Sequence, residues 1–474
     1  MGENNFEITL ARETSSHYFH HALRLNLVST SNNQLPQLQV KSNRNSFLIL
    51  AAALAVAGPL WSEAQTAPSL EDLQKQIKAL QQQVDTLKAP PAAAKPEDAE
   101  AWKNLLKSKG LTFGFYGESK YRFPQAGANV YDPHRFVLVP SYQINDWLVF
   151  NSELEFEHGG MDEKTGSTRS RFGGEIEVEQ FYVDALINPH FNLRLPGIDL
   201  IPVGRVNTRH EPTTFYSTER PELYREIIPS TWMEPAMSVF GKVVDDLSYR
   251  VMISTGLEDN IGTGTSGLRG DTGFRDARPR MNGASHNSLA YSGRLTYTGI
   301  KGLESSTSGY VTQVTGTAGD STVSLWDIEA SYRVPSSGFE FRGEFANWWI
   351  SNPNALVANN GSDRDVGDRM YGWYGEMAYH FFPDAWKKGK GSDMDFVPFI
   401  RYSQIATQVD MASGSTQNDD GKSNKEFLTA GVAWFLNQNV VVKADYRHNF
   451  NGSSSSASDG SSQDYFQIGV GISF

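Results

Sequence analysis

The sequence predicts an all-β fold, a sixteen-stranded antiparallel transmembrane β-barrel preceded by a short N-terminal periplasmic coiled-coil helix. Three observations predict it: the alternating pattern of the last strand, the recurrence of that pattern from Leu111 onward, and connections that alternate between short turns and long loops. A membrane barrel needs each of them, because its strands present one face to lipid and the other to water, and because its turns are short at one end and long at the other.

The last strand, residues 464–474, alternates strictly between two faces. One face carries Phe466, Ile468, Val470, Ile472 and Phe474, and the other carries Tyr465, Gln467, Gly469, Gly471 and Ser473. A period of two is the period of a β-strand. The terminal strand of a soluble protein can have the same pattern, so the assignment to a membrane barrel depends on whether the rest of the chain repeats it.

The same alternation begins at Leu111, where Phe113 and Phe115 occupy one face and Lys120 and Arg122 the other. Charged side chains on the face opposite aromatic ones need water on their side of the strand. Continued along the chain, the pattern predicts sixteen strands, near 111–123, 135–144, 146–158, 174–187, 192–206, 236–244, 247–257, 289–299, 303–314, 321–333, 338–350, 370–382, 394–408, 424–436, 439–449 and 464–474.

The connections between these strands are of two kinds. Short turns lie at 145–146, 188–190, 245–246 and 437–438, and long loops rich in Gly, Ser, Asn and Asp lie at 258–288, 351–369, 409–423 and 450–463. An even number of strands returns the chain to the periplasmic side, and the sequence contains no repeat of the kind that a propeller or β-helix requires. Aromatic clusters at strand ends predict interfacial girdles; they are Trp348–Trp349, Tyr371–Tyr374, Phe381–Phe382 and Trp434–Phe435.

Composition narrows the possible chemistry. The chain has 474 residues, no cysteine, 42 glycines and a formal net charge of −12. Without cysteine there is no disulfide, thiolate metal site or c-type haem attachment, and the acidic balance makes nucleic acid an unsuitable partner. After the N-terminal region no apolar run reaches the roughly twenty residues of a membrane-spanning helix.

The N-terminal part divides into three predicted segments. Residues 1–40 are polar and aperiodic, and we expect a non-native or disordered extension, with initiation near Val40. Residues 41–64 have a basic start, an apolar core and a Ser-Glu-Ala end, which predicts a signal peptide. Residues 65–110 predict a periplasmic coiled coil, a Pro/Ala linker and a short helix. Leu73, Leu80 and Leu87 lie at d positions of the heptads. So short a seam needs tethering to an oligomer; a lone amphipathic helix is the alternative.

One long connection, 207–235, differs from the others because it holds aromatic residues, isoleucines and prolines instead of Gly and Ser. We expect it to fold back into the lumen and narrow the pore. Opposed acids and bases around a constriction filter solutes, although the same charges can pair with one another to hold the loop, and pairing is expected for the majority. The candidate lining and constriction residues are Arg205, Arg209, His210, Glu211, Arg220, Arg225, Lys120, Arg122, Glu153, Glu155, Arg342 and Arg447.

Five runs of the sequence resemble the phosphate-selective porin O and P family. They are residues 150–160, 177–183, 202–207, 210–212 and 228–232; the closest match covers about 111–244, and the general pattern continues to Phe474. The resemblance implies a trimeric, sixteen-stranded outer-membrane porin with an inward-folded third loop. In the family's phosphate-selective members, arginines and lysines line the pore.

The sequence departs from that pattern in its acids. Glutamates repeat at alternate positions of three predicted strands, at Glu153, Glu155 and Glu157, at Glu175, Glu177 and Glu179, and at Glu340 and Glu344 beside Arg342. Acidic rungs repel anions and favour cations. Phosphate selectivity is therefore not carried over from the family.

The predicted function is a porin for passive diffusion of small hydrophilic solutes or ions in the outer membrane of a Gram-negative bacterium. Its expected partners are outer-membrane lipid and lipopolysaccharide, two further copies of itself in a homotrimer, and its solutes. No motif joins a histidine to a nucleophile, so no enzyme, cofactor or metal is predicted, and His210 with Glu211 is interpreted as a loop anchor. The alternative is a structural or adhesive barrel anchored by its periplasmic coil.

Overall fold

The computed structural model places the barrel and most of its connections. It describes residues 110–159, 174–258, 267–270, 272–279, 288–316, 319–356, 365–383, 385–411, 423–450 and 463–474. The predicted extension 1–40, signal peptide 41–64 and coiled-coil segment 65–110 lie outside the described residues, apart from Gly110. Within the described part, no helix has the length and apolar character needed to cross a bilayer.

Sixteen strands of the described residues form one closed antiparallel barrel, which confirms the predicted fold class. Each strand pairs with its neighbours in the sequence, and β1 closes the sheet on β16. The strands are β1 (Leu111–Pro124), β2 (Val130–Gln143), β3 (Leu148–Glu157), β4 (Ile176–Asn188), β5 (Phe191–Leu200), β6 (Met233–Val244), β7 (Leu247–Thr255), β8 (Leu289–Tyr297), β9 (Leu303–Gly316), β10 (Gly319–Arg333), β11 (Phe339–Ile350), β12 (Arg369–Tyr379), β13 (Asp395–Val409), β14 (Asn424–Asn437), β15 (Val440–Asn449) and β16 (Tyr465–Ser473).

Helical structure in the described part is confined to short connecting turns. The α-helical turns are α1 (Arg205–Thr208) and α2 (Leu223–Glu226), and the 3₁₀ turns are Arg275–Ala277, Pro353–Ala355 and Gly389–Gly391. Both α-helical turns lie in the connection between β5 and β6.

The terminal residue helps to close the barrel. The amide of Phe474 donates to the carbonyl of Phe115 at 2.8 Å, and the amide of Phe115 donates back at 3.2 Å. The two rings stack with centroids 4.7 Å apart. The aromatic carboxyl terminus therefore joins both the hydrogen bonding and the apolar face at the seam.

The two faces of the sheet differ as the alternation predicts. On β16, Phe466 is 40% exposed, whereas its neighbour Gln467 is fully buried. The predicted aromatic girdle needs a correction, because Trp348 and Tyr374 are buried, while Trp349 is exposed. Adjacent residues of a strand point to opposite faces, so only one member of an aromatic pair can belong to the apolar belt.

Strand ends account for the other differences. β5 ends at Leu200 and not at the predicted 206, because Pro202 has no N–H to donate and Gly204 turns the chain with φ of 73°. The β5–β6 connection is therefore residues 201–232, which begins earlier and ends earlier than the predicted 207–235. β2 starts at Val130 rather than at 135, so Pro133 lies inside a strand.

Candidate functional site

The β5–β6 connection is held to a single path by its own residues. A Cβ at Gly204 would lie 2.8 Å from the ring of Tyr224, so only glycine allows this approach. The Asn207 amide donates to the Ile201 carbonyl at 2.9 Å, and its oxygen accepts from the Trp232 amide at 2.7 Å. One buried asparagine thus joins the start of the connection to its end.

The second part of the connection, residues 223–232, is called here the apolar half. Ile227 and Trp232 are fully buried. Trp348 of β11 donates its indole N–H to the Ile227 carbonyl at 2.7 Å, and its ring stacks on Phe274 with centroids 3.6 Å apart. The Trp232 ring lies 4.6 Å from that of Tyr310 on β9. This half is anchored by aromatic packing against the middle strands.

The first part, residues 209–222, is called here the charged half, and Glu219 is its central residue. The Glu219 carboxylate lies 2.8 Å from Lys120 Nζ and 2.6 Å from Arg122 Nη2, both on β1. Burial alone would raise the pKa of Glu219, but the positive charges of Lys120 and Arg122 lower it by more, so the pKa lies well below its usual range. Glu219 therefore remains charged and fixes the charged half to the first strand.

Glu222 makes the corresponding contact with β13 and β14. Its carboxylate lies 3.3 Å from Arg401 Nε and accepts hydrogen bonds from Ser403 at 2.7 Å and Thr429 at 3.2 Å. Burial raises its pKa, while Arg401 and Arg447 lower it, with a net decrease. Two acids of one half thus bind strands on the two sides of the β1–β16 seam.

Thr218 extends these contacts to β15 and β16. Its amide donates to Asp445 Oδ2 at 2.6 Å, and its hydroxyl lies 2.5 Å from the side-chain amide of Gln467. Next to it, Lys443 Nζ donates to the Ser217 carbonyl at 2.9 Å. The buried face of the last strand is therefore covered by the charged half.

His210 lies buried between β1 and β4. Its Nε2 is 2.6 Å from the Tyr116 hydroxyl and 3.7 Å from Glu179, and its Nδ1 donates to the Asn207 carbonyl at 3.1 Å. Arg135 of β2 donates to the His210 carbonyl. His210 thus joins the connection to strand residues and to Asn207.

Two arginines of the connection bind β9. Arg209 forms a bidentate pair with Glu304, at 3.1 and 2.5 Å, and Arg205 Nε lies 4.0 Å from the same carboxylate. Arg342 of β11 binds Glu340 at 2.5 Å and donates to the Thr214 carbonyl at 3.1 Å. These candidates are therefore engaged in pairs.

The remaining predicted residues have individual environments. Glu153 accepts a hydrogen bond from Gln180 and lies 4.0 Å from His210, and Glu155 lies 3.9 Å from Arg135. Arg220 donates to Thr231 Oγ1 at 3.3 Å, and Arg447 lies over the rings of Phe427 and Tyr465. Glu211 and Arg225 are half-buried. Their role in lining a pore stays a prediction.

Two residues outside the predicted set prove central. Arg135 is buried and binds both Glu118, at 2.9 Å, and the connection. Lys425 binds Glu226 of the apolar half at 2.5 Å. Both lie at predicted strand starts, where the alternation gives the least information. A β-bulge between Glu118 and Lys120 also shifts the register against β2, and no sequence signal marks that shift.

Three groups of the described residues bring possible metal ligands together. In each group one ligand atom per residue lies within 4.8 Å of the others, and the groups are Asp132, His134 and His158; Glu153, Glu179 and His210; and Asp327, Glu329 and Glu344. The last group contains no histidine and is fully buried.

Comparison with known proteins places the fold. No protein-family model matches the chain, so the resemblance to the phosphate-selective porin O and P family stays a prediction. A protein of Aquifex aeolicus (strain VF5), described as uncharacterized, is 28% identical over 347 residues, which cover 71% of this chain and 75% of that protein.

Two solved structures are similar to this chain. Salmonella typhi OmpF, in complex with daunomycin, has a TM-score of 0.51 at 14% identity, covering 77% of this chain and 99% of OmpF. Pseudomonas putida OprB has a TM-score of 0.49 at 10% identity, covering 80% of this chain and 97% of OprB. The likeness to OmpF shows that the chain has the closed-barrel fold of an outer-membrane porin.

Proposed function

We propose that the protein is an outer-membrane porin of a Gram-negative bacterium, through which small hydrophilic solutes or ions diffuse passively. One observation carries the proposal: the single β5–β6 connection contacts strands around the whole circumference, from β1 and β2 through β9 and β11 to β16. A segment of this length reaches strands on all sides only from the barrel axis.

The proposal places the connection inside the lumen, where it narrows the pore. Its support is the side of the sheet that the connection touches. Thr218 bonds Gln467, which is fully buried, while Phe466 beside it is exposed on the apolar face. The exposed apolar belt would face lipid, and the charged face opposite it would line water.

The proposed selectivity is a modest preference for cations. Some of the arginines of the site pair with carboxylates, and two of them meet two: Arg342 lies near Glu340 and Glu376, and Arg401 near Glu222 and Glu376. Paired cations present little net field to an anion, and acids in excess attract cations. Selectivity for phosphate is not proposed.

Current measurement in planar bilayers tests the function. The refolded barrel should give stepwise conductance, and under a KCl gradient its reversal potential should have the sign of a cation-preferring pore. A strong anion preference would contradict the proposed selectivity. Incorporation without any current would instead favour a structural or adhesive barrel.

A cysteine pair tests the position of the connection, and the cysteine-free chain makes this test clean. Thr218→Cys combined with Gln467→Cys should form a disulfide under mild oxidation and lower the conductance noise. The matched control is Thr218→Cys with Phe466→Cys, one residue along the same strand but on the other face, which should not cross-link. Equal cross-linking of the two cysteine pairs would contradict the proposed position of the connection in the lumen.

The proposed assembly is a homotrimer in outer-membrane lipid, as the resemblance to the phosphate-selective porin O and P family implies. The predicted heptad seam between residues 65 and 110 would be tethered by the trimer, although its Ile and Val at a and Leu at d favour two strands. Chemical cross-linking of the mature chain in detergent should give a trimer band that the barrel alone, from Leu111, loses or weakens. A mature chain that stays monomeric without surfactant would contradict both the assembly and the membrane location.

A further inference from the structure

We propose that Asp327, Glu329 and Glu344 form a binding site for a divalent cation of the calcium class on the wall between β10 and β11. Asp327 and Glu329 lie two residues apart on β10, and Glu344 of β11 is the direct cross-strand partner of Glu329. All three carboxylates are therefore on one face of the sheet. This inference does not depend on the proposed channel function.

The arrangement is unfavourable without a cation. Like charges directly opposite each other on neighbouring strands destabilise a sheet, and here a third carboxylate lies within the same group. The exposed fractions of Asp327, Glu329 and Glu344 are 0%, 4% and 4%, so water cannot screen the charges. Buried carboxylates are neutralised by protonation, by paired cations or by a bound metal.

The protein supplies less positive charge than the group needs. Arg294 of β8 binds Glu329 through Nη2, and in the described part of the chain it is the base found in ion-pair contact with the three acids. Its Nη1 is buried and has no hydrogen-bond partner in the parts of the chain that the structure describes. One arginine against three carboxylates leaves an uncompensated charge of about two if all three are ionised.

The carboxylate oxygens give a second, independent observation. Each acid has one oxygen with a hydrogen-bond donor: Ser308 donates to Asp327, Arg294 to Glu329, and Tyr224 to Glu344. The other oxygen of each is buried and has no hydrogen-bond partner among the described residues; these are Asp327 Oδ2, Glu329 Oε2 and Glu344 Oε1. Three such acceptors in one buried group are satisfied either by protonation of the acids or by one bound cation, and a cation coordinated by all three oxygens would satisfy them together.

The donor set selects the kind of cation. All ligands are oxygen atoms, which suit hard cations and not the transition metals that prefer nitrogen or sulfur. One oxygen of each acid lies within 4.8 Å of the others, which fits oxygens on different sides of a Ca²⁺ ion with Ca–O distances of about 2.4 Å. Mg²⁺ needs about 2.1 Å and retains several waters, for which this buried group is poorly suited.

The site would also connect the wall to the β5–β6 connection. Tyr224 belongs to the apolar half, and its hydroxyl donates to Glu344. A cation that orders Glu344 orders the acceptor of this bond. A cation that binds only the folded barrel would raise its stability, and the gain would grow with the logarithm of the cation concentration above the Kd.

The experiment uses the full mature chain, refolded in detergent without lipopolysaccharide and treated with EDTA. Thermal unfolding is followed with added CaCl₂ or MgCl₂, and Ca²⁺ affinity is measured by calorimetry. CaCl₂ should raise the unfolding midpoint more than the same concentration of MgCl₂. Asp327→Asn should weaken Ca²⁺ binding at least about tenfold and abolish the shift.

Asp320→Asn is the matched control, because Asp320 lies on the same strand, is exposed and is outside the group. It should keep the full response. Glu344→Gln is the second variant, in case Asp327→Asn does not fold, and should also lose the response. An unchanged midpoint of the wild-type chain, an equal Mg²⁺ effect, or a full Ca²⁺ response in Asp327→Asn or Glu344→Gln would each overturn the proposal. Because the assay needs no current, it can fail or succeed separately from the porin proposal.

Discussion

The two halves of the β5–β6 connection are held by different forces. The apolar half, 223–232, is fixed by fully buried side chains such as Ile227 and Trp232 against Trp348 and Tyr310. The charged half, 209–222, is fixed by carboxylates that bind bases of β1 and β13. Aromatic packing is insensitive to salt and pH, whereas ion pairs respond to both.

This difference separates stability from permeation. In the proposed porin, the apolar half packs against the barrel wall and leaves no room for water there. The charged half presents the carboxylates and guanidinium groups that a passing ion would meet. Variants in the two halves should therefore differ in which measurement they change.

The largest effect is expected in the apolar half. Trp232→Ala removes a fully buried ring packed on Tyr310 and should lower the free energy of unfolding by about 3–5 kcal/mol. Denaturant unfolding of the refolded barrel measures it, and Trp232→Phe should lose much less. If Trp232→Ala lowers the free energy of unfolding no more than the charged-half variants do, the two halves do not differ in their contribution to stability.

Glu219→Gln should have the next largest effect. The substitution removes the carboxylate charge that binds Lys120 and Arg122 and should lower the free energy of unfolding by about 1.5–3 kcal/mol. The reversal potential should move toward anions because two bases lose their partner. The double variant with Lys120→Met is the control. If the two substitutions add without coupling, the ion pair contributes nothing.

Acid should weaken the charged half more than the apolar half, because the apolar half is held by aromatic packing as well as by the ion pair of Glu226 with Lys425. The pKa values of Glu219 and Glu222 are lower in the folded protein than in the unfolded chain. Their contribution is thus complete above the unfolded value of about 4.3 and is lost as pH falls below it. Unfolding midpoints from about pH 7 to about pH 3 should fall less steeply in Glu219→Gln. An equal slope would contradict this.

The smallest effect is expected for Arg209→Gln. The Arg209 side chain is 43% exposed, so its pair with Glu304 is screened and should contribute no more than about 1 kcal/mol. A slight shift of the reversal potential toward cations should accompany it, and salt should reduce both changes. If Arg209→Gln lowers the free energy of unfolding as much as Glu219→Gln does, side-chain exposure does not determine how strongly these ion pairs stabilise the protein.

Much of the barrel could be predicted because its signals are local. All sixteen strands were found, and the faces of β16 are as the alternation indicates. The end of β5 was missed although Pro202 and Gly204 mark it, because the apolar run past Leu200 continues the strand pattern. Trp348 was placed in the girdle because composition does not reveal which of two adjacent aromatics turns inward.

The candidate site could be predicted only in part. The connection and its charged residues were identified from their unusual composition, but their partners were not. Glu219 meets Lys120, about a hundred positions away in the chain, and Glu222 meets Arg401. Such pairs depend on the path of the connection, which Gly204 and Asn207 direct through contacts with Tyr224 and Trp232.

The strand number, the two faces and the unusual connection can be deduced from the amino-acid sequence, because alternation and turn chemistry act over a few residues. Tertiary structure alone decided which charges pair, where the register slips by a bulge, and that Asp327, Glu329 and Glu344 face one another. These depend on sheet register and on chain segments brought together only when the barrel closes. Local patterns carry no information about either.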